Sequence, residues 1–329
     1  MLFHSLAYLL LAGVGEVFAK YNKAEMNNIA MYWGQNSAGS KANKADLQVP
    51  LGEYCKMGTD VDIFIIAFVL NPSAPDHPLL NFANQGGKCK IGTDRMSPVE
   101  CPDIGNDITT CQNTYNKTIL LSTGGSSGKV SFASAEAAIA NAQAMWDMFG
   151  TPSKDTKSGA PRPFGGAAVD GFDIDVETKV HHLEDWAQKL RNITTQQNAL
   201  LTAAPQCPFA EDPMKNITDK VAFDAVFVQF YNNGNCMYGG NGHGAAVDEW
   251  EKWAKEKNSK FFLGLPASNT ATPLENQGYL LPDAMATAVS GAKTKEHFGG
   301  VMLWDASQSF NNGNYHVKVK EALNKTASG

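Results

Sequence analysis

Short runs rich in Val, Ile, Leu, Phe and Ala, bounded by Gly, Pro or Asn, recur along the chain with helical patterns between them. Eight runs predict strands: Asn28–Trp33, Val61–Leu70, Thr118–Thr123, Ala168–Glu177, Leu200–Pro205, Ala225–Tyr231, Lys260–Pro266 and Gly299–Trp304. Most are almost continuously apolar, the pattern of parallel strands covered on both faces. Amphipathic stretches at Ser134–Met148, Val180–Gln197, Ala245–Lys257 and Pro282–Thr294 separate several of them, so the order reads as repeated βα units. Eight such units close a barrel, and the predicted fold class is α/β, a (β/α)8 TIM barrel. An open doubly wound sheet is the competing architecture, and it announces itself by a phosphate-binding turn after the first strand. Here that strand runs into Gly34, Gln35 and Asn36, and the chain contains neither GxGxxG nor GxxxxGK followed by Ser or Thr. Polar and aromatic residues cluster instead at predicted strand ends: Gln35 and Asn36, Asp175 and Glu177, Gln229 and Tyr231, Trp304 and Asp305. In a barrel those ends form the active face.

The segment Asp170-Gly171-Phe172-Asp173-Ile174-Asp175-Val176-Glu177 carries the most chemistry. As a strand it alternates faces, with Asp173, Asp175 and Glu177 on one side and Phe172, Ile174 and Val176 on the other. Packing the apolar set on the helices points the acids into the barrel. Three carboxyl groups at two-residue intervals do not all ionise cheaply there, so at least one is expected to hold a proton near neutral pH, as a general acid must. A calcium loop of the EF-hand type counted from Asp173 fails, because its sixth position is Thr178 where the turn demands Gly. His181 and His182 are adjacent and point apart on a helix, so no His pair at metal-ligand spacing accompanies the acids. Neither a metal nor a cofactor is expected.

Composition narrows the partners. A net charge of -6 and the lack of any Lys/Arg run of five argue against nucleic acid. Residues 2–15 are a short apolar stretch and Val17-Phe18-Ala19 resembles a cleavage site, so residues 1–19 are read as a signal peptide and residues 20–329 as one catalytic domain. Six cysteines and sequons at Asn116, Asn192, Asn216 and Asn324 suit an oxidising, extracellular compartment. No later stretch approaches eighteen apolar residues, so no membrane association is expected, and the protein is read as a secreted monomer. The cysteines alone permit about fifteen pairings.

At Asp170–Glu177 the chain resembles glycoside hydrolase family 18, the chitinases, whose signature is DxxDxDxE. The similarity extends to Ile29–Asn36, Leu201–Phe209, Val226–Asn233, Phe262–Ala267 and Gly300–Trp304, and points to the plant-type, class III branch that also occurs in fungi. The resemblance implies that Glu177 protonates the glycosidic oxygen and that Asp175 orients the substrate's own acetamido group, whose oxygen attacks the anomeric carbon. Such enzymes depart from the usual two-carboxylate scheme. It also implies that Asp173 hydrogen-bonds Asp175, that Tyr231 contacts the acetamido carbonyl and that Trp304 is the aromatic floor. Tyr32, Gln35, Asn36 and Gln229 are expected sugar contacts, and Trp33 a packing residue. Leu121–Gly125 corresponds to an SxGG block with Thr123 at a position where apolar residues are frequent, a departure expected near the barrel mouth. The implied disulfides are Cys55–Cys111, Cys89–Cys101 and Cys207–Cys236.

The function implied is endo-acting, retaining hydrolysis of β-1,4-linked N-acetylglucosamine polymers, with chitin or its oligosaccharides as partner. The interval from Pro266 to Gly299 is too short for the small inserted domain that walls the cleft in some family members, so an open groove is expected. The alternative is a non-catalytic lectin or hydrolase inhibitor on the same barrel; an endo-β-N-acetylglucosaminidase acting on N-glycans is a third reading.

Overall fold

The computed structural model describes residues 20–41, 48–72, 78–90, 99–152, 159–273 and 277–325; the predicted signal peptide lies outside the described residues. Nine strands occur among them: β1 Asn28–Trp33, β2 Ile63–Asn71, β3 Leu79–Leu80, β4 Thr118–Gly124, β5 Gly171–Asp175, β6 Leu200–Ala203, β7 Ala225–Gln229, β8 Lys260–Pro266 and β9 Phe298–Trp304. The two-residue β3 pairs antiparallel with the outer part of β2. The other eight are parallel neighbours, and pairing of β1 with both β9 and β2 closes the ring. The predicted (β/α)8 barrel is therefore the observed fold.

Side-chain alternation divides each strand between two cores. Ala30 and Tyr32 of β1, Ile63 and Ile65 of β2 and Phe227 of β7 fill the barrel interior. Their neighbours Ile29, Met31, Phe64, Ile66, Val226 and Val228 belong to the larger core between strands and helices. The surrounding helices are α1 Leu51–Met57, α2 Pro102–Asn113, α3 Ala135–Phe149, α4 Leu183–Gln196, α5 Lys215–Lys220, α6 His243–Lys257, α7 Pro282–Ala292, α8 Ala306–Asn311 and α9 Tyr315–Asn324. Helix α3 starts on Ser134, whose side chain accepts from the Ala137 N–H. Its seating is completed by Asn141, which takes the Trp186 indole N–H of α4 at 2.8 Å.

Two expectations about the acidic strand and its neighbour are corrected. The fourth predicted strand ends at Asp175 rather than Glu177. Its next N–H, on Val176, donates to the Met214 sulfur at 3.4 Å, so the backbone leaves the ladder and carries Glu177 into the barrel mouth. Thr123, in turn, belongs to the opposite face of β4 from the inward Ser122; it is fully buried, and its hydroxyl has no hydrogen-bond partner. It faces the helix layer and is not among the residues that line the cleft.

The cysteines pair as Cys55–Cys111, Cys89–Cys101 and Cys207–Cys236. The first ties α1 to α2, and the third joins the loop after β6 to the loop after β7. All four sequon asparagines are exposed. Between β8 and β9 the described residues form only loop and α7, and no described helix is long and apolar enough to cross a membrane.

Loop-closure entropy ranks the disulfides. Separations of 56 and 12 residues correspond to about 4 and about 3 kcal/mol of chain-entropy stabilisation. Replacing Cys55 and Cys111 together by Ser is therefore expected to lower the free energy of unfolding more than replacing Cys89 and Cys101. Equilibrium denaturant unfolding of the two double variants checks this order; equal or reversed losses would contradict it.

Candidate active site

Register places the acidic strand between hydroxyl donors. Asp173 of β5 lies opposite Ser122 of β4 and Thr202 of β6. Its carboxylate accepts from the Ser122 hydroxyl at 2.6 Å, the Thr202 hydroxyl at 2.7 Å and the Tyr32 phenol at 2.7 Å. Burial still pushes the Asp173 carboxyl above the ordinary range, against the pull of those three donors. The bonds also correct an expectation: Asp173 is not hydrogen-bonded to Asp175, because its oxygens are taken by the two flanking strands and by Tyr32 from across the barrel.

One step along the strand, Asp175 accepts from the Gln229 side-chain N–H at 3.0 Å. The same Gln229 nitrogen donates to the Ala204 carbonyl at 2.9 Å, which fixes the orientation of the amide. Burial, then the charges of Glu177 and Asp173, drive the Asp175 carboxyl well above its usual value. Glu177, half-buried at the mouth, is raised by burial. The pair thus keeps protons to higher pH than free carboxyls do, and the group with access to solvent is Glu177.

A cleft of about 290 Å³ opens over these groups. Asp175, Glu177, Gln229 and Tyr231 line it together with Trp304 and Gln35, and among its described lining residues there is no Lys, Arg or His. Trp304 stacks on Phe68 at 6.0 Å and 24°, while Tyr32 leans on it at 5.4 Å. The indole is thereby held as a rigid platform with one face left to the cleft. Tyr231 is almost fully buried, and burial with the fields of Asp175 and Glu177 holds its phenol well above the normal value. It stays a neutral hydroxyl.

The predicted residues do not all reach that surface. Tyr32 is 1% exposed and lies beneath the platform. Asn36 adopts φ 47° and accepts the Gln48 N–H at 2.7 Å, which holds the loop after β1. Gln35 lines the cleft, but its amide nitrogen is committed to the Ala67 and Asn81 carbonyls. Trp33 packs, with its indole N–H on the Val49 carbonyl. Sequence reasoning missed Phe68, the cleft hydroxyls Ser126 and Thr270, and the buried carboxyl Asp212, and it named Asp305 at a strand end without giving it a role. Asp305 follows Trp304 directly and accepts from the Ser37 N–H and the Ser307 hydroxyl, so it ties the platform to the loop after β1.

The family model described as glycosyl hydrolases family 18 matches residues 28–280. The chain belongs to that family. Within family 18 it is 38% identical to the class III chitinase of Arthroderma benhamiae, over 95% of this chain and 91% of that protein. Among solved structures, ICChI chitinase from Ipomoea carnea superposes with a TM-score of 0.70 at 27% identity, covering 90% of this chain and 99% of that one. The xylanase and alpha-amylase inhibitor protein XAIP-II from Scadoxus multiflorus superposes with a TM-score of 0.71 at 28% identity, covering 89% and 97%. The family 18 match stops before β9, yet β9 closes this barrel and supplies Trp304.

The raised Asp175 carboxyl has a consequence for stability. The folded state binds this proton more tightly than the unfolded chain, so the carboxyl's contribution is fully present below about pH 3.8 and is lost as pH rises through the folded value. Asp175→Asn removes the charge while keeping an oxygen for Gln229. It is expected to melt above the wild type by roughly a few degrees at pH 8, with the gap closing below pH 4. Scanning calorimetry across that range checks it; a variant that melts lower at pH 8 would contradict the electrostatic reading.

Proposed function

We propose that this chain hydrolyses β-1,4-linked N-acetylglucosamine polymers by a retaining, substrate-assisted reaction with Glu177 as general acid and then base. The observation that carries the reading is the pairing of Asp175 and Glu177 at the floor of a cleft that has no basic lining and one aromatic platform. A neutral sugar suits such a lining, its C–H face on Trp304 and its hydroxyls on the rim. Phosphate or carboxylate substrates would meet no cation.

In the first step Glu177 gives its proton to the glycosidic oxygen as the C1–O bond breaks, and the leaving sugar departs as an alcohol. The acetamido oxygen of the bound sugar attacks C1 from the opposite face and forms an oxazolinium ring. Asp175, held by Gln229, faces the acetamido nitrogen and stabilises the positive charge, while Tyr231 donates to the same group. In the second step the Glu177 carboxylate takes a proton from water as the water oxygen attacks C1 and the ring opens. Two inversions leave the β-anomer. Asp173 holds a negative charge beneath Asp175 and raises its proton affinity, which favours the protonated cluster from which the cycle starts.

The loop-and-helix connection between β8 and β9 adds no wall domain, so the same reading makes the enzyme endo-acting on a groove open at both ends. Secretion accords with the three disulfides and the exposed sequons. The likeness to XAIP-II favours a second reading, a non-catalytic inhibitor or sugar-binding protein on this barrel. Release of reducing ends from colloidal chitin separates the two.

Glu177→Gln is expected to keep the fold and oligosaccharide binding but to lose turnover by at least roughly 10²–10⁴-fold, the scale of general acid–base catalysis. Near-wild-type turnover on chitin oligomers would remove Glu177 from its role. On a soluble chitin derivative, rapid viscosity loss and mixed oligomers with the β-anomer first are expected. Disaccharide accumulation at constant viscosity, or an initial α-anomer, would overturn endo-action or retention respectively.

A further inference from the structure

Asp212 is a buried carboxyl that the catalytic scheme leaves without a task. It is 4% exposed and sits in the loop between β6 and α5. One oxygen accepts from the Gln206 N–H at 3.1 Å, and the other is buried without a hydrogen-bond partner. A bare buried carboxyl oxygen is costly, so its retention calls for an account.

The loop that carries it is joined to the acidic strand by two routes. Met214 takes the Val176 N–H, the peptide between Asp175 and Glu177. Gln206, held by Asp212, is paired with Gln229 in a parallel bridge: the Gln229 N–H donates to the Pro205 carbonyl at 2.8 Å and the Cys207 N–H to the Gln229 carbonyl at 3.3 Å. Gln229 in turn gives its side-chain N–H to Asp175 at 3.0 Å. A chain of single contacts therefore runs from Asp212 through Gln206 and Gln229 to Asp175, and the Cys207–Cys236 disulfide closes over it.

We propose that Asp212 is a positioning residue for Asp175, fixing it through Gln206 and Gln229 and adding a negative charge to the cluster once it ionises. The proposal rests on the assignment of Asp175 and Glu177 to the hydrolytic cycle. Two charged groups act on this carboxyl from the elements packed against it: Asp175 from β5, and Lys215 from α5, whose ammonium is also bonded to Asp219 at 2.6 Å. Burial lifts the Asp212 carboxyl to about 7, with the Gln206 and Met214 N–H groups and then Lys215 pulling the other way. Its negative charge appears as pH rises through neutrality. There it raises the proton affinity of Asp175, so the Asp175–Glu177 pair retains a proton to higher pH.

The test compares Asp212→Asn, which keeps an oxygen for Gln206 and loses the charge, with Asp212→Ala, which loses both. In carboxyl carbon-13 spectra of aspartate-labelled protein, assigned with Asp175→Asn, the Asp175 resonance is expected to titrate at lower pH in Asp212→Asn than in the wild type. The ratio of wild-type to Asp212→Asn rates on chitin oligomers is expected to grow through pH 7, reaching about two- to tenfold, the lower part of the range for coupled neighbours. For Asp212→Ala kcat falls at every pH, with KM changed less. Should neither variant fold, the wild-type Asp175 resonance must show a second inflection at the Asp212 midpoint. An Asp175 titration indifferent to Asp212 overturns the proposal. A wild type inactive on chitin oligomers would overturn the hydrolytic reading instead, and the carbon-13 titration still decides the contact between the two carboxyls.

Discussion

Asp173 has no exposed surface, and three other strands converge on its carboxylate. Tyr32 of β1, Ser122 of β4 and Thr202 of β6 all donate to it. A closed barrel interior is a packed core, so a carboxylate placed there needs donors supplied by the wall itself. That requirement reaches far into the chain. It demands polar hydroxyls at two register positions beside Asp173 and a phenol from across the barrel. It also sets the depth at which Tyr32 sits and hence the platform that Trp304 rests on. Removing one donor would leave a buried charge short of partners, which costs more than the hydrogen bond itself contributes.

From that buried anchor the electrostatics of the mouth follow. Asp175 lies one residue pair closer to solvent, feels Asp173 below and Glu177 above, and has a single side-chain donor, Gln229. Its proton affinity is consequently high, whereas Asp173, surrounded by donors, is pulled partly back. Two buried carboxyls of the same type, two residues apart, are thus driven unequally by the neighbouring charges that act on Asp175 and the hydroxyls that surround Asp173. Glu177 leaves the ladder because Val176 finds a sulfur in place of a strand carbonyl, and this break gives the third acid its access to the cleft.

Much of this arrangement was readable from the chain. The strict alternation of Asp173, Asp175 and Glu177 with Phe172, Ile174 and Val176 assigns faces, and six of the eight predicted strands differ from the observed bounds only by end residues, with Asn28–Trp33 and Lys260–Pro266 unchanged. Alternation gives face but not depth. Tyr32 and Trp304 both point inward, yet one supports from below and the other lines the cleft, a difference set by barrel stagger. Asn36 follows Trp33 by three residues, but the loop turns there with positive φ and spends its amide on Gln48, a pairing no local pattern announces. Helix α2 lies within polar sequence that masks its period, although Ile104, Ile108 and Cys111 recur at helical spacing and are all buried. Asp212 was invisible for a different reason. Its loop is ordinary in composition, and its importance comes from tertiary contacts: Gln206, which it holds, bridges to Gln229, and its neighbour Met214 meets Val176, 38 positions earlier.

The loop after β6 shows how a barrel reconciles a costly site with a stable fold. Raised carboxyls weaken the folded state as pH rises, because the unfolded chain gives up those protons more readily. The compensation is structural and lies next to the cost: the Cys207–Cys236 disulfide, the Trp250 indole on the Cys207 carbonyl at 3.2 Å and the Gln206–Gln229 bridge all bear on the segment nearest the acids. Helix α6 carries Trp250 and is itself seated by Trp253, whose indole N–H meets the Thr218 carbonyl of α5 at 2.9 Å. These contacts are apolar or neutral and do not titrate near neutrality. Apart from Asp212, whose carboxyl is raised to about 7, the groups that hold this loop do not titrate near neutrality, so most of its contacts keep their form while the carboxyls beside it change charge.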